Sequence, residues 1–213
     1  MHEARFGEMT VEGFLESMGS SDPTPGGGAA AAIAGATGAS LIAMVGRLTL
    51  GKPGFEDLEE RMRALVVRAD EARTDFLALA DRDAEAFEQV MSAFRMPKGS
   101  DVEKASRAQA IQIGLEHAAG APLEIARRAV DLMELAEDAT ALGNPNAASD
   151  GMTAAGLLFA DVIGARANVE INAASLKDES RREALLDEVT GIRERAGELL
   201  EQCRTAFGLR LTA

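Results

Sequence analysis

Six polar side chains set in apolar surroundings are the ones that could do chemistry in this chain. Asp83 interrupts an apolar stripe made by Leu58, Met62, Leu65, Phe76, Leu79, Phe87, Val90 and Phe94. A carboxyl buried there is pushed toward its neutral form and held ready to take or give a proton. The same position also suits a structural acid satisfied by an arginine or an amide. Asn144, Asn146 and Asp150 fall in one segment, Asn168 and Asn172 in the next, and both segments are otherwise poor in polar side chains. Asn168 and Asn172 stand at i and i+4, on one helix face. Buried amides need partners, and a polar ligand would supply them. Asp150, after Ser149, also reads as a helix cap.

The remaining candidate is bare backbone. Residues 21–28 read Ser-Asp-Pro-Thr-Pro-Gly-Gly-Gly. Pro23 and Pro25 stiffen the approach, and Gly26, Gly27 and Gly28 allow positive φ and clear every side chain from the mouth of the helix that follows. The first N–H groups of a helix lack intrahelical partners, so such a mouth suits a carboxylate, a phosphate or a polarised carbonyl. A tight turn packed under a neighbouring helix would look the same.

Other chemistries fit less well. Gly46 to Lys52 has the spacing of a phosphate loop, but Pro53 stands where a Ser or Thr should bind magnesium, and the segment ends a helix instead of following a strand. Cys203 is the one cysteine, and the histidines are His2, near the terminus, and His117, alone on a helix, so neither a disulfide nor a metal cluster is expected. Ser21 and Ser149 lack a histidine partner and a nucleophile elbow. Tyrosine is absent, which removes a phenol as catalytic acid. A net charge of -13 speaks against nucleic acid.

These residues must be carried by helices, because no segment alternates with period two and an all-α bundle of long antiparallel helices without a sheet is expected. A short helix starts at Val11, with Phe14, Leu15 and Met18 on its apolar face. The helix from Ala29 to Val45 is apolar all round, with Ala31, Gly35 and Ala39 in a row, which predicts the centre of a soluble bundle, close to a dimer interface, and not a membrane span. One long helix or two nearly collinear ones cover Phe55 to Met96. Ser100 with Glu103 forms a capping box for a helix to Ala119, and Pro122 opens another. A helix from about Met152 to Ser175 follows the Gly143-Asn144-Pro145-Asn146 turn, and Ser180 with Glu183 caps the last one. Residues 1–213 read as a single domain, cytoplasmic, with a charged amino terminus that lacks a signal-peptide core.

Pro23-Thr24-Pro25-Gly26-Gly27-Gly28-Ala29 resembles the cyclodeaminase/cyclohydrolase family, which comprises the carboxy-terminal domain of formiminotransferase-cyclodeaminase and stand-alone methenyltetrahydrofolate cyclohydrolases. The resemblance continues in order through Met44-Val45 with Leu48-Thr49, Asp81-Arg82-Asp83-Ala84 with Phe87, Met96-Pro97-Lys98, Ala121-Pro122-Leu123, Gly143-Asn144-Pro145-Asn146 with Ser149-Asp150, and Asn168-Val169 with Asn172. Ala29, Phe87 and Gly151 depart from its usual residues.

The resemblance implies a helical homodimer that acts on one-carbon folates without metal or other cofactor. It implies either hydrolysis of 5,10-methenyltetrahydrofolate to 10-formyltetrahydrofolate or expulsion of ammonia from 5-formiminotetrahydrofolate. Asp83 or Asp150 would be the acid/base, the other stabilising the cationic substrate. Asn144, Asn146, Asn168 and Asn172 would orient the pterin, and Pro25 with Gly26, Gly27 and Gly28 would lie against ring or carboxylate. Arg47, Lys52 or Lys98 would receive the glutamates. The stand-alone cyclohydrolase is preferred, since no transferase domain precedes this segment. A cyclodeaminase is the alternative, and a non-catalytic helical scaffold is the third reading.

Overall fold

Between Gly27 and Gly46 the chain carries no charged side chain, so no face of that segment gains from contact with water. In the computed structural model, which describes residues 5–212, it forms the central helix α2 (Gly27–Thr49), most of whose residues are buried. A short helix, α1 (Val11–Met18), precedes it, capped by the Thr10 hydroxyl accepting from Gly13 N–H at 3.1 Å. Four long helices follow: α3 (Glu59–Arg95), α4 (Asp101–Leu142), α5 (Ala148–Ala173) and α6 (Glu179–Arg210). Among the described residues there is no strand, and the all-α bundle expected from the sequence is what the chain forms.

Small residues on α2 set its register. Gly46 lies under Leu65 and Val66 and Gly35 under Phe76, which fixes α3 antiparallel to α2. Gly38 faces Leu158 and Gly35 also faces Asp161, which fixes α5 antiparallel to α2 on another side. A side chain at either position would force these helices apart. Gly114 meets the Val90 backbone where α4 turns back along α3. α6 runs parallel to α4, with Arg127–Glu188, Arg181–Glu116 and Arg195–Glu134 ion pairs along the contact. These pairs are half exposed and add little stability.

Several boundaries differ from the sequence reading. α4 begins at the expected capping box, with both of its bonds formed, but it passes straight through Pro122 instead of starting anew there. Proline has no N–H, so the carbonyl of Ala118, one turn earlier, loses its helical donor. Asn172 Nδ2 on α5 donates to that oxygen at 2.8 Å, which keeps the break satisfied and the helix continuous. α5 starts at Ala148, ahead of Met152, because Asn144 caps a 3-10 turn at Pro145–Ala147 that runs directly into it. α6 is capped by Asp178, whose carboxylate accepts from Arg181 N–H, two residues before the expected Ser180. On α1, Phe14 is buried while Leu15, expected on the same face, is 58% exposed.

Candidate active site

Asp83 projects from α3 at the mouth of α2. A Cβ built on Gly28 would fall inside its carboxyl group, so the acid occupies the space that glycine leaves, beside the Ala29 backbone N–H. The anion suited to this helix mouth is therefore the chain's own. Burial pushes the Asp83 carboxyl up to about 6, and the Ala29 N–H pulls it part of the way back. A carboxyl so tuned divides between its two forms near neutral pH, the condition for general acid–base work. Of the two uses expected for the glycines, positive φ is not made: Gly26 is extended, with φ of -113°, and the positive φ values fall at Gly51 and Gly54, in the turn after α2. What Gly28 provides is the absence of a side chain.

Asn168 comes to the same place from α5. Its Nδ2 lies 3.5 Å from where a Cβ on Gly27 would stand and donates to its own helix at Gly164 O, 2.9 Å away, which leaves Oδ1 for a ligand. α3 continues from Asp83 to Arg95 and α5 from Asn168 to Ala173, past the point where α2 begins. The mouth of α2 is thus the floor of a notch between two helices that overrun it. Phe87, one turn beyond Asp83 on the same face of α3, is partly exposed and offers an aromatic wall. Pro25 is buried beneath the entry loop. Asp81, two residues from Asp83, is tied to the amino-terminal segment by accepting Phe6 N–H at 2.9 Å.

Asn144, Asn146, Asp150, Arg47 and Lys52 are not part of this cluster. Asn144 sits at the far end of α2, roughly 30 Å away at 1.5 Å per residue. Its Nδ2 donates to Leu48 O at 3.2 Å, its N–H donates to Thr49 Oγ1 at 2.8 Å, and its Oδ1 accepts from Asn146 N–H at 3.1 Å. That side chain is committed to holding the turn. Asp150 and Asn146 share this end, with Asp150 in the first turn of α5, where a negative charge suits the helix dipole. So Asp83 and Asp150 do not face each other within one chain. Asn172, one turn beyond Asn168 on the same face of α5, donates its Nδ2 to Ala118 O on α4, and its Oδ1, like that of Asn168, has no hydrogen-bond partner among the described residues. Arg47 is ion-paired to Asp70. Lys52 lies in the turn that follows α2, and Lys98, exposed between α3 and α4, stands on the same side of the molecule as the notch.

Asp161 is the residue the sequence reading does not single out. It is fully buried on α5 with neither carboxyl oxygen hydrogen-bonded, and burial pushes it well above the ordinary carboxylate range. The signal was an acid two turns before Asn168 on a helix otherwise apolar on that face. Among the described residues no three acids, histidines or cysteines converge as metal ligands; His2 lies outside the described residues and His117 is exposed. A shallow cavity of about 600 Å³ bordered by Glu137, Glu201 and Arg210 lies between the ends of α4 and α6, and none of the candidates lines it.

Residues 10–191 match the formiminotransferase-cyclodeaminase family profile. The chain is 39% identical to the methenyltetrahydrofolate cyclohydrolase of Methylorubrum extorquens, over 92% of this chain and 94% of that protein. It is 33% identical to the formimidoyltransferase-cyclodeaminase of Mus musculus over 95% of its own length, and spans 36% of that longer protein. In three dimensions it is similar to the formiminotetrahydrofolate cyclodeaminase of Thermotoga maritima, with a TM-score of 0.86 and 32% identity over 95% of this chain and 97% of that one.

Proposed function

The chain belongs to the formiminotransferase-cyclodeaminase family, and we propose that within it this protein is a one-carbon folate enzyme that hydrolyses 5,10-methenyltetrahydrofolate to 10-formyltetrahydrofolate. The observation that carries this reading is Asp83, a partly exposed carboxyl pushed up to about 6 at the mouth of α2. The bridging carbon of the substrate is an amidinium carbon and already electrophilic, so a positioned water and a base suffice and no metal is needed. Asp83 takes a proton as water attacks that carbon. It then delivers the proton to N5 as the C–N5 bond breaks. The carbinol O–H proton leaves to solvent, its electron pair completes the carbonyl, and the formyl group stays on N10. Asn168 Oδ1 and the Phe87 ring would meet the edge and face of the pterin. The 39% identity to a named cyclohydrolase over nearly the full length of both chains supports this choice of reaction.

The second reading, ammonia release from 5-formiminotetrahydrofolate, is favoured by the likeness to a cyclodeaminase at a TM-score of 0.86. Both reactions pass through a tetrahedral carbon between two folate nitrogens and ask the same of Asp83. Purified protein, with chelator present, is expected to speed the loss of the near-ultraviolet absorbance of the methenyl form above its spontaneous rate. If that loss is not accelerated while the formimino compound releases ammonia, the second reading replaces the first.

The working species proposed is a homodimer. The outward stripe of α2 (Ala30, Ile33, Thr37, Leu41, Met44 and Leu48) carries no charge, and neither do Thr153, Ala160, Ile163, Ala167 and Ile171 on the outer side of α5, where Ile171 is 71% exposed. A water-facing surface is seldom so uniformly uncharged. Light scattering is expected to read twice 22.3 kDa; a particle of single-chain mass contradicts it.

A further inference from the structure

The three helices around the notch repeat their arrangement two turns deeper. Gly35 lies two turns below Gly28 on α2, Phe76 two turns below Asp83 on α3, and Asp161 two turns below Asn168 on α5, so each pair shares one helix face. In the upper layer a carboxyl fills the space of a missing side chain and opens to the notch. In the lower layer another carboxyl does the same and is sealed. A Cβ on Gly35 would stand 2.5 Å from Asp161 Oδ2 and 2.6 Å from the Phe76 ring. Asp161 has no exposed surface and no hydrogen-bond partner for either oxygen. Between the two layers the seam is filled by buried Ala31, Ala32, Ala80 and Ala165.

We propose that Asp161 is a positioning residue for the site above it: with its proton on, the α2–α3–α5 seam closes and seats the glycine mouth against Asp83, and with its proton off, the seam is forced apart. A sealed carboxylate without a counter-charge is strongly unfavourable, whereas the neutral acid is tolerated. No counter-charge faces it among the described residues. α2 has no titratable side chain between Gly27 and Gly46. On α3, Arg73 is paired with Asp70 and Asp75 with Arg128, all partly exposed, and Asp83 is the titratable group that shares the seam. On α5 itself Arg166 is bound to Glu170. The buried faces of α4 and α6 nearby are apolar, with Ala126, Ala129 and Met133 on one and Leu185 and Val189 on the other. The direction in which burial moves the Asp161 carboxyl, well above its ordinary range, agrees with this geometry.

The sign of the pH effect follows from linkage. In the unfolded chain Asp161 ionises at about 4, while the folded chain keeps its proton to much higher pH. Below about 4 both states are protonated and stability is at its full value. Above it, unfolding releases a proton, and the folding equilibrium constant falls about tenfold per pH unit until the folded-state value is passed. Asp83 adds a like loss, but only up to about 6.

The test compares the wild-type chain with Asp161→Asn and Asp161→Leu. Urea unfolding followed upward from pH 6, where the Asp83 contribution has ended, is expected to show a folding constant that falls with pH in the wild type, by at most about tenfold per unit, and much less in both variants. The seating of the mouth is read separately, from the alkaline side of the turnover profile: wild-type kcat is expected to decline there, and the decline is expected to vanish in whichever variant folds. That arm rests on the proposed hydrolase reading, while the unfolding arm does not, so a failed assay and a failed inference are distinguishable. Wild-type stability that does not change over this range overturns the retained proton. An alkaline decline that is the same in all three proteins overturns the positioning role.

Discussion

At its carboxyl end α2 meets Thr49 and Asn144, and the polar groups there are joined to one another. Thr49 Oγ1 donates to Val45 O and accepts from Asn144 N–H, and the Asn144 side chain holds Leu48 O and Asn146 N–H. At its amino end the same helix presents Gly27, Gly28 and the Ala29 N–H to one partly exposed carboxyl and to an asparagine whose oxygen is left over. Both ends are rich in the residue types that do chemistry. The difference lies in whether their bonding capacity is used up inside the protein. A satisfied polar cluster fixes the fold, and one with capacity left over at the floor of a notch is where a ligand has something to gain.

The strongest way to break this contrast is to remove the charge at each end in turn. Asp83→Asn is expected to lower turnover by about 10² to 10⁴ with the fold intact, and Asp150→Asn to leave turnover near wild type. Equal losses would mean that the two ends act together, which a distance of roughly 30 Å along α2 allows only across two copies of the chain. Next in size, Gly28→Ala puts a methyl group into the space of the Asp83 carboxyl. Displacement of the base is expected to cost about 10² in kcat, with circular dichroism unchanged. At the satisfied end the cost moves from activity to stability: Thr49→Val leaves the Asn144 N–H buried without an acceptor, a loss of about 1 to 3 kcal/mol in urea unfolding with unchanged kcat.

Much of the fold was legible because long amphipathic periods, the Ser100–Glu103 capping box and an uncharged central segment are local signals. Of the candidate site, the placing of Asp83 against the glycines at the mouth of α2 rests on signals of the same kind, an acid in an apolar stripe and bare backbone before a helix. What was not legible depends on partners far apart in sequence. Asn144 looks like a ligand-binding amide until Leu48 O and Asn146 N–H are seen to occupy both ends of it, and nothing local announces the bond from Asn172 to Ala118 O. Pro122 looks like a helix start until Asn172 is seen to replace the lost donor. Asp161 carries no local mark beyond its position two turns from Asn168, since its isolation is a property of the packed seam.

The smallest expected effect sharpens the account of Asn172. Asn172→Ala strips the donor from Ala118 O and is expected to cost about 1 to 2 kcal/mol. In a Pro122→Ala background, where a backbone N–H can return to Ala118 O, the same substitution is expected to cost much less. The difference, read as a double-mutant cycle in urea, separates a structural amide from one that binds substrate. An Asn172 that binds substrate would instead raise KM equally in both backgrounds.

The most direct test of the notch as the seat of chemistry is the pH profile of kcat/KM for loss of the methenyl chromophore, corrected for the spontaneous reaction. If Asp83 is the base, activity falls on the acid side as its carboxylate is protonated, with a midpoint near 6 and a slope of about one proton. In Asp83→Asn the residual rate loses that acid limb. An acid limb with the same midpoint in both proteins would contradict the account and assign the essential proton to another group.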